Sequence, residues 1–293
     1  MSNICNLCPR RCGAERNTDS GSGVCKVGTL PVVARAALHM WEEPCISGTR
    51  GSGTVFFSGC SLKCVFCQNR DISTERFGKT ITVDRLKEIY SELILQGAHN
   101  INLVNPTHFT PAIIESLNTP LSVPVVYNTG GYDTVEQIKS LDGKIDIYLP
   151  DIKYISAELA GKYSKAKDYP EIAKAAIKEM VAQVGKYQLD ENGILRKGVV
   201  IRHLVLPGNI ENSLDVIDWV SETFPPHTVL FSLMGQFTPN GCDLFPELCR
   251  TLTSEEYDKV KDYALLCGLT DGYFQELDSA KSTYTPPFDL TGI

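Results

Sequence analysis

Three cysteines lie close together directly after an apolar run that is typical of a β-strand. Cys60, Cys64 and Cys67 follow residues 54–58 with the spacing C-x3-C-x2-C. Thiolates are the usual protein ligands of iron–sulfur clusters, and a cubane 4Fe-4S cluster has four irons to hold. Three local ligands leave one iron open, and an open position is typical of metal centres that carry out chemistry. The motif therefore predicts a 4Fe-4S cluster with an open iron at the end of a strand.

Two other interpretations of these cysteines are a zinc knuckle and three buried thiols without metal. Free cysteine often packs as a small buried hydrophobe. A zinc knuckle normally has a fourth Cys or His at short spacing, whereas residues 68–97 contain neither. The spacing therefore favours a cluster over zinc.

Composition and charge exclude several classes of protein. The 293 residues include 28 Lys and Arg and 35 Asp and Glu, which gives a formal net charge of −7. Because there is no long basic run, no nucleic-acid partner is expected. Residues 1–12 lack the apolar segment of a signal peptide, and no stretch approaches the roughly 20 apolar residues of a membrane span. We expect a cytoplasmic protein without a membrane partner, in which cellular reductants keep the eleven cysteines reduced.

After the cysteine motif, short β-branched runs alternate with helical periodicity. Main strands are predicted at residues 54–58, 100–104, 123–127, 145–149, 199–206 and 228–234, with a last strand at 273–277. Helices are predicted at residues 82–97, 111–117, 135–141, 171–184, 214–224 and 253–266, with a small ribbon over 187–196. This alternation is typical of a parallel sheet with right-handed crossovers, and six strands are fewer than the eight of a closed barrel. We expect an α/β fold: a partial, open (β/α)6 TIM-like barrel over residues 54–293, with a small Cys-rich N-terminal appendage over residues 1–53.

The appendage contains a second group of cysteines. They are Cys5, Cys8, Cys12 and Cys25, with the spacing C-x2-C-x3-C-x12-C. Four thiolates can complete a tetrahedral zinc site or hold a second iron–sulfur cluster. A Gly-rich segment of this size has little apolar core and needs a cross-link such as a bound metal for stability. A closed metal site is therefore expected, and four thiols without metal are the alternative. The remaining cysteines, which have no metal-like spacing and are predicted to be packing residues, are Cys45, Cys242, Cys249 and Cys267.

The motif at Cys60, Cys64 and Cys67, with Phe66 just before its last cysteine, resembles the signature of the radical S-adenosylmethionine (SAM) superfamily. Residues 67–71 (CQNRD) resemble the segment after this motif in pyruvate formate-lyase activating enzymes, which install glycyl radicals in partner proteins. The chain most resembles their uncharacterised relatives with an N-terminal Cys-rich segment. The resemblance implies a partial barrel, three cysteine ligands to a 4Fe-4S cluster, and Phe66 against the adenine of SAM. It also implies SAM bound at the open iron and cleaved reductively to a 5′-deoxyadenosyl radical, which takes a hydrogen atom from the substrate.

Several polar residues follow predicted strands, and ligands of parallel α/β sheets bind beyond the carboxyl ends of the strands. The residues for which the resemblance implies contacts with SAM are Asn69, Asn105, Thr107, Asn128, Thr129, Asp151, Lys153 and Arg202. Lys153 matches the family's Asp-Leu-Lys and is expected to contact the SAM carboxylate, with an ordinary surface salt bridge to Asp151 as the alternative. Arg202 is expected at the SAM ribose or carboxylate, or as a solvated side chain.

The chain departs from the activating enzymes at two of these positions. Asn105 and Thr107 lie where the family carries a Gly-Gly-Glu-Pro motif that binds the SAM amino group, so hydrogen-bonding capacity is retained without a carboxylate. Asn128 lacks the negative charge of the family's Asp, which helps to hold SAM or a monovalent cation. SAM is therefore expected to be held differently here.

The function expected from this resemblance is that of a radical SAM oxidoreductase acting on a protein or peptide, with a glycyl radical enzyme as one candidate partner. A one-electron donor such as flavodoxin or ferredoxin would reduce the cluster. The alternatives are radical modification of a small metabolite or ribosomal peptide and, in another class, a non-catalytic metal-binding or electron-transfer protein. No catalytic side chain is identified from the sequence.

Overall fold

The computed structural model describes residues 4–240, 244–277 and 285–293 of the chain. Its strands are β1 (Ile4–Cys5), β2 (Ala14–Glu15), β3 (Val32–His39), β4 (Ser52–Phe57), β5 (Lys79–Thr80), β6 (Ile101–Val104), β7 (Val125–Thr129), β8 (Ile147–Pro150), β9 (Gln188–Leu189), β10 (Leu195–Leu204), β11 (Leu230–Met234) and β12 (Gly272–Phe274). Its α-helices are α1 (Pro44–Ser47), α2 (Arg70–Ser73), α3 (Val83–Leu95), α4 (Thr110–Ser116), α5 (Val135–Ser140), α6 (Ala157–Ser164), α7 (Tyr169–Val184), α8 (Ile210–Thr223) and α9 (Ser254–Leu266).

One central sheet contains every strand predicted after the cysteine motif. Its order is β12-β11-β10-β8-β7-β6-β4-β3-β5, with β9 paired to β10. From β4 to β12 all neighbours along this order are parallel, whereas β3 is antiparallel to both β4 and β5. Within the described residues the sheet therefore ends at β5 and β12 without closing. The predicted α/β partial barrel is confirmed.

Strand β3 lies in the segment that the sequence analysis treats as an appendage. It pairs with β4 from Val33 opposite Phe57 to His39 opposite Ser52. Its sequence, VVARAALH, has few β-branched residues, so the pairing with β4 and not intrinsic propensity makes it a strand. The expected boundary after residue 53 falls inside β4, and the division into domains stays a prediction.

Helix ends follow the local chemistry of the sequence. The Thr82 hydroxyl accepts a hydrogen bond from Arg85 N at the start of α3, and Thr253 with Glu256 forms the predicted capping box of α9. Helix α6 was not predicted. It contains Gly161, which lowers helix propensity, and its formation depends on packing that buries residues such as Tyr163.

The middle of the sheet is covered on both faces. Every residue of β7 and β8 is buried, which explains why residues 125–127 and 147–149 are all apolar or aromatic. The carboxyl ends of the strands therefore meet at one rim, where polar side chains can face a common cavity. No helix in the described residues is both long and apolar enough to cross a membrane.

Candidate active site

A cavity of about 250 Å³, here called the cluster cavity, lies at the carboxyl ends of the parallel strands. Its walls include the ends of strands β6, β7, β10 and β11. Every residue predicted for the cluster and for SAM lines it: Cys60, Cys64, Phe66, Cys67, Asn69, Asn105, Thr107, Asn128, Thr129, Asp151, Lys153 and Arg202. The fold thus brings together side chains that are far apart in the sequence.

The three cysteines of the motif belong to the loop that follows β4, and each sulfur accepts a hydrogen bond. Leu62 N donates to Cys60 Sγ at 3.3 Å. Ser164 Oγ donates to Cys64 Sγ at 3.0 Å, and Ser73 Oγ donates to Cys67 Sγ at 3.3 Å. Hydrogen bonds to the ligand sulfurs are one of the means by which a protein tunes a cluster.

The donor set of the cluster cavity fits a cluster with one open iron. Apart from the three cysteines, the described residues that line it include no Cys or His. No three His, Cys, Asp or Glu side chains of the described chain converge closely enough to hold a single metal ion. A cubane does not require such convergence, because each thiolate binds a different iron. Burial raises the pKa of Cys64 to about 12, so metal binding must displace a proton from this thiol.

Lys153 lies between the cluster loop and an acidic side chain. Its Nζ is 2.5 Å from Asp151 Oδ2, and both side chains are less than one-fifth exposed. Burial raises the pKa of the Cys64 thiol and the Lys153 ammonium lowers it, so the two groups are near neighbours. Burial lowers the pKa of Lys153, but Asp151 and Cys64 outweigh burial and raise it above its ordinary value. A cation is therefore held beside the Cys64 thiol.

Arg202, in the wall of the cluster cavity, donates hydrogen bonds to three side chains. Its Nε donates to Asp151 Oδ1 at 2.9 Å. The backbones of Asp151 and Arg202 also pair as an isolated parallel bridge. Nη1 donates to Glu42 Oε2 at 3.2 Å, and Nη2 donates to Asn128 Oδ1 at 2.7 Å. Asn128 in turn donates to Glu42 Oε1 at 3.2 Å. These bonds use three of the five N–H donors of the guanidinium, so Arg202 positions Asp151 and Asn128, and its contact with SAM stays a prediction.

Glu42 and the adjacent Glu43 were not predicted as site residues from the sequence. Both lie in the short connection between β3 and α1, before the cysteine motif, and Glu43 is only 7% exposed. The pairing of β3 with β4 brings this connection to the rim of the barrel. Two adjacent acids followed by Pro44 are a recognisable helix start, but nothing local indicates that they face a cavity.

The polar residues after β6 and β7 also hold the wall of the cavity. Asn105 has a φ of 58°, a left-handed conformation that Asn tolerates, and its Nδ2 donates to Gly59 O at 2.6 Å. Thr129 Oγ1 donates to Asp133 Oδ2 at 2.5 Å. Thr107 is buried nearby and its hydroxyl hydrogen-bonds to the same carboxylate, which opposes the rise in the pKa of Asp133 that burial causes.

Phe66 and Asn69 complete the predicted set. Phe66 is 6% exposed, and its ring packs 5.9 Å from that of Phe237 and 6.4 Å from that of Tyr163, measured between centroids. Asn69 is the residue before helix α2. Both border the cluster cavity, so an aromatic face and an amide are available beside the thiols.

Comparison with known proteins identifies the family. The sequence model of the Radical SAM superfamily matches residues 54–220. The chain belongs to the radical SAM superfamily. Membership confirms the resemblance inferred from the cysteine motif, and it implies a 4Fe-4S cluster and SAM as cofactors.

Related proteins do not narrow the reaction of this radical SAM protein. It is 32% identical over 273 residues to an uncharacterized protein of Methanocaldococcus jannaschii, a match that covers 89% of this chain and 74% of that protein. It is similar in structure to Streptococcus suis SuiB bound to precursor peptide SuiA, with 12% identity, a TM-score of 0.50, and coverage of 76% of this chain and 48% of SuiB. A variant of spore photoproduct lyase gives 12% identity and a TM-score of 0.50, with 75% and 74% covered. The chain thus spans about half the length of SuiB, and these two likenesses concern the fold alone.

The N-terminal cysteines of this radical SAM protein lie within one small region. Cys8 and Cys25 are buried, Cys5 is half-buried and Cys12 is exposed. Burial, the largest cause, raises the pKa of Cys8 to about 11, and the other three thiols act in the same direction because they are close by. The structure brings the four sulfurs into one neighbourhood without placing them around a single point. Their role as a metal site stays a prediction.

Two arginines attach this N-terminal segment to the barrel. Arg10 Nε donates to Ser61 O in the cluster loop at 2.8 Å, and Arg10 Nη2 donates to Ser164 O at 2.8 Å. The buried Arg16 donates from Nη2 to His108 O at 2.8 Å. The second cysteine group is therefore anchored beside the radical SAM loop.

Gly59, which precedes the first cluster cysteine, should be intolerant of a side chain. Its φ is 88°, and an added Cβ would lie 2.8 Å from Val27 Cγ1 and 3.0 Å from Cys25 O. We expect Gly59→Ala to lower the free energy of unfolding by about 1–3 kcal/mol more than a matched control does, because of overpacking. The control is Gly97→Ala, at a φ of 92° with no atom within 4 Å. Urea denaturation measures both, and equal losses would contradict close packing of the N-terminal segment on the loop.

The other cysteines follow the packing prediction in part. Cys45 is buried in a core cluster, and Cys267 packs against the main core. Cys249 is exposed, so the prediction is wrong there; it follows a short 3-10 helix at the surface, and its Sγ lies 3.6 Å from Phe245 O. Cys242 lies outside the described residues.

Proposed function

We propose that this protein cleaves SAM reductively at a 4Fe-4S cluster held by Cys60, Cys64 and Cys67, and that it abstracts hydrogen from a protein or peptide substrate. The main support is the cluster cavity, where three thiols face the candidate SAM-binding residues and where no fourth Cys or His of the described chain takes part. A closed electron-transfer site would instead have four protein ligands.

The residues of the cavity have distinct roles in this proposal. When bound, the cluster supplies the electron that breaks a C–S bond of SAM to give methionine and a 5′-deoxyadenosyl radical. Lys153 binds the SAM carboxylate. Asp151 holds the Lys153 ammonium in place, with Oδ2 at 2.5 Å from Nζ. Phe66 covers the adenine. Asn69, Asn105, Thr107, Asn128 and Thr129 offer hydrogen bonds to the polar groups of SAM.

A peptide substrate is supported by SuiB, which was crystallised with its precursor peptide. A glycyl radical enzyme is one candidate partner, and flavodoxin or ferredoxin is the proposed class of electron donor. Modification of a small metabolite is the second candidate. A further polar cavity of about 140 Å³ beside the cluster cavity favours it, because such a space suits a small polar group.

We also propose that Cys5, Cys8, Cys12 and Cys25 form a closed metal site, either zinc or a second iron–sulfur cluster. The proximity of the four thiols supports a shared site. Soft thiolate ligands suit both metals. Such a site would stabilise a segment that has little apolar core of its own.

The direct test uses anaerobically reconstituted protein with SAM and a one-electron reductant. The proposal predicts release of 5′-deoxyadenosine and methionine, measured by liquid chromatography and mass spectrometry. Absence of both products from protein with a full iron complement would overturn it.

Iron and zinc analysis of the same sample distinguishes a zinc site from a second cluster at the N-terminal cysteines.

Removal of the Lys153 charge should weaken SAM binding. Lys153→Met keeps much of the side-chain volume but loses a charge-assisted bond, so we expect the Kd for SAM to rise about 10- to 100-fold. Calorimetric titration of the cluster-loaded protein measures the Kd. The control is Lys139→Met on helix α5, which is exposed and lies away from the cavity lining. A Kd within about twofold of wild type would show that Lys153 does not bind SAM.

A further inference from the structure

A second cavity, here called the acidic cavity, adjoins the cluster cavity. It has a volume of about 140 Å³ and shares Asn69, Asn128 and Arg202 with the cluster cavity. Its other walls include Glu42 and Glu43, which precede helix α1. A group bound there would lie directly beside the site proposed for SAM.

Carboxyl groups outnumber cations in this wall. Glu42 is paired with Arg202 at 3.2 Å, and Arg202 also pairs with Asp151 at 2.9 Å. Glu43 lies 4.0 Å from the same guanidinium, and its Oε2 has no hydrogen-bond partner among the described residues although it is buried. The Arg202 guanidinium therefore faces three carboxyl groups. One of them, Asp151, also pairs with Lys153 in the cluster cavity.

A second side chain of the acidic cavity also has a buried acceptor without a hydrogen-bond donor. Gln275, in the same wall, has a buried Oε1 without a partner in the described part of the chain. Burial lowers the pKa of His39 to about 4, so its imidazole is uncharged at neutral pH. Buried acceptors without donors are rare in folded proteins. The wall thus needs a ligand that donates hydrogen bonds.

Aromatic rings complete the enclosure. His39 and Phe56 line the acidic cavity and pack edge to face, with centroids 5.8 Å apart. Trp41 lines it as well and is 61% exposed. Aromatic faces attract cations, and indole does so best. Ammonium and guanidinium groups donate hydrogen bonds and accept none, which matches a wall of carboxylates, an amide oxygen and rings.

We infer that the acidic cavity binds a positively charged ammonium or guanidinium group of the substrate through Glu43, with Gln275 as a second acceptor. The inference rests on the proposed function for the reaction that follows. It predicts the class of substrate: a peptide or metabolite that carries a basic group close to the carbon that loses hydrogen. An anionic group does not fit there, because it would add acceptors beside Glu43 Oε2, which already lacks a hydrogen-bond donor.

The test compares two probes that differ in one charged group. Nα-acetyl-lysine amide carries an ammonium, and Nα-acetyl-norleucine amide has the same chain without it. Calorimetric titration of reconstituted, SAM-loaded wild type should show binding of the lysine probe at least about tenfold tighter. Equal binding of the two probes by wild type would overturn the inference, and this comparison requires no variant.

Two variants assign the selectivity to the acidic cavity. Glu43→Gln keeps the shape and removes the charge, so the preference should fall to about twofold or less; the control Glu191→Gln, on an exposed turn, should retain it. Gln275→Glu adds a carboxylate and should increase the preference. An unchanged preference in folded Glu43→Gln, checked by circular dichroism, would contradict the assignment.

The same wild-type sample separates this inference from the proposed function. Probe selectivity without 5′-deoxyadenosine formation would refute the proposed reaction and leave the cation site intact. SAM cleavage without probe selectivity would refute the cation site and leave the reaction intact.

Discussion

Replacement of Cys64 by alanine is expected to abolish SAM cleavage, with 5′-deoxyadenosine formation reduced at least about 100-fold. Loss of an outer-shell partner of a metal ligand already costs about 10- to 100-fold, and Cys64 is proposed as a ligand itself. Its Sγ also accepts a hydrogen bond from Ser164 at 3.0 Å, which would be lost together with the iron. The reconstituted variant should show reduced iron content and no SAM-dependent change in the spectrum of the reduced protein.

The control for this variant is Cys249→Ala, which removes an exposed thiol that does not line the cluster cavity. It should retain the iron content and SAM cleavage of wild type. Wild-type cleavage by Cys64→Ala would contradict the proposed ligand set. Equal losses in both variants would point to general sensitivity to cysteine loss and not to a specific site.

Asp151→Ala should destabilise the fold severely, by about 3–5 kcal/mol, because it leaves buried cations without their partner. Asp151 pairs with Lys153 at 2.5 Å and with Arg202 at 2.9 Å, and its side chain is 14% exposed. Urea denaturation of the cluster-free protein measures the change without a contribution from bound cofactor. The surface control Asp142→Ala, at an exposed position, should stay within about 0.5 kcal/mol of wild type.

The destabilisation should depend on pH in a definite direction. Burial raises the pKa of Asp151, but Arg202 and Lys153 outweigh burial and hold it below its ordinary value. The stabilisation from a lowered pKa is fully present above the unfolded-state value of about 3.9 and is lost as the pH falls through the folded-state pKa. Wild type and Asp151→Ala should therefore differ at neutral pH and converge only in strong acid. A constant difference down to acid pH would contradict the buried ion-pair account.

The core of the barrel could be predicted from the sequence because local pattern and topology agree there. Strands such as β8 are apolar runs, and helices such as α3 have a capping Thr82 and a 3.6-residue repeat. Once these strands are parallel and ordered, their carboxyl ends meet at one rim. For that reason the sequence alone predicts that Asn128 and Asp151 lie near the cysteines.

Features that depend on tertiary contact could not be predicted in this way. Strand β3 is rich in alanine and becomes a strand by pairing with β4. Glu42 and Glu43 reach the rim only because β3 carries them there. Ser164, which donates to the Cys64 sulfur, ends helix α6, whose internal glycine weakens the helical pattern. In each case the decisive partner is distant in the sequence.

The most direct test of the central claim is electron paramagnetic resonance of the reduced, reconstituted protein before and after addition of SAM labelled with ¹⁵N and ¹⁷O at its amino and carboxylate groups. The account predicts a SAM-dependent change in the cluster signal and hyperfine coupling to the labelled atoms, because SAM occupies the iron that no cysteine holds. An unchanged spectrum without such coupling, from protein with a full 4Fe-4S complement, would contradict it.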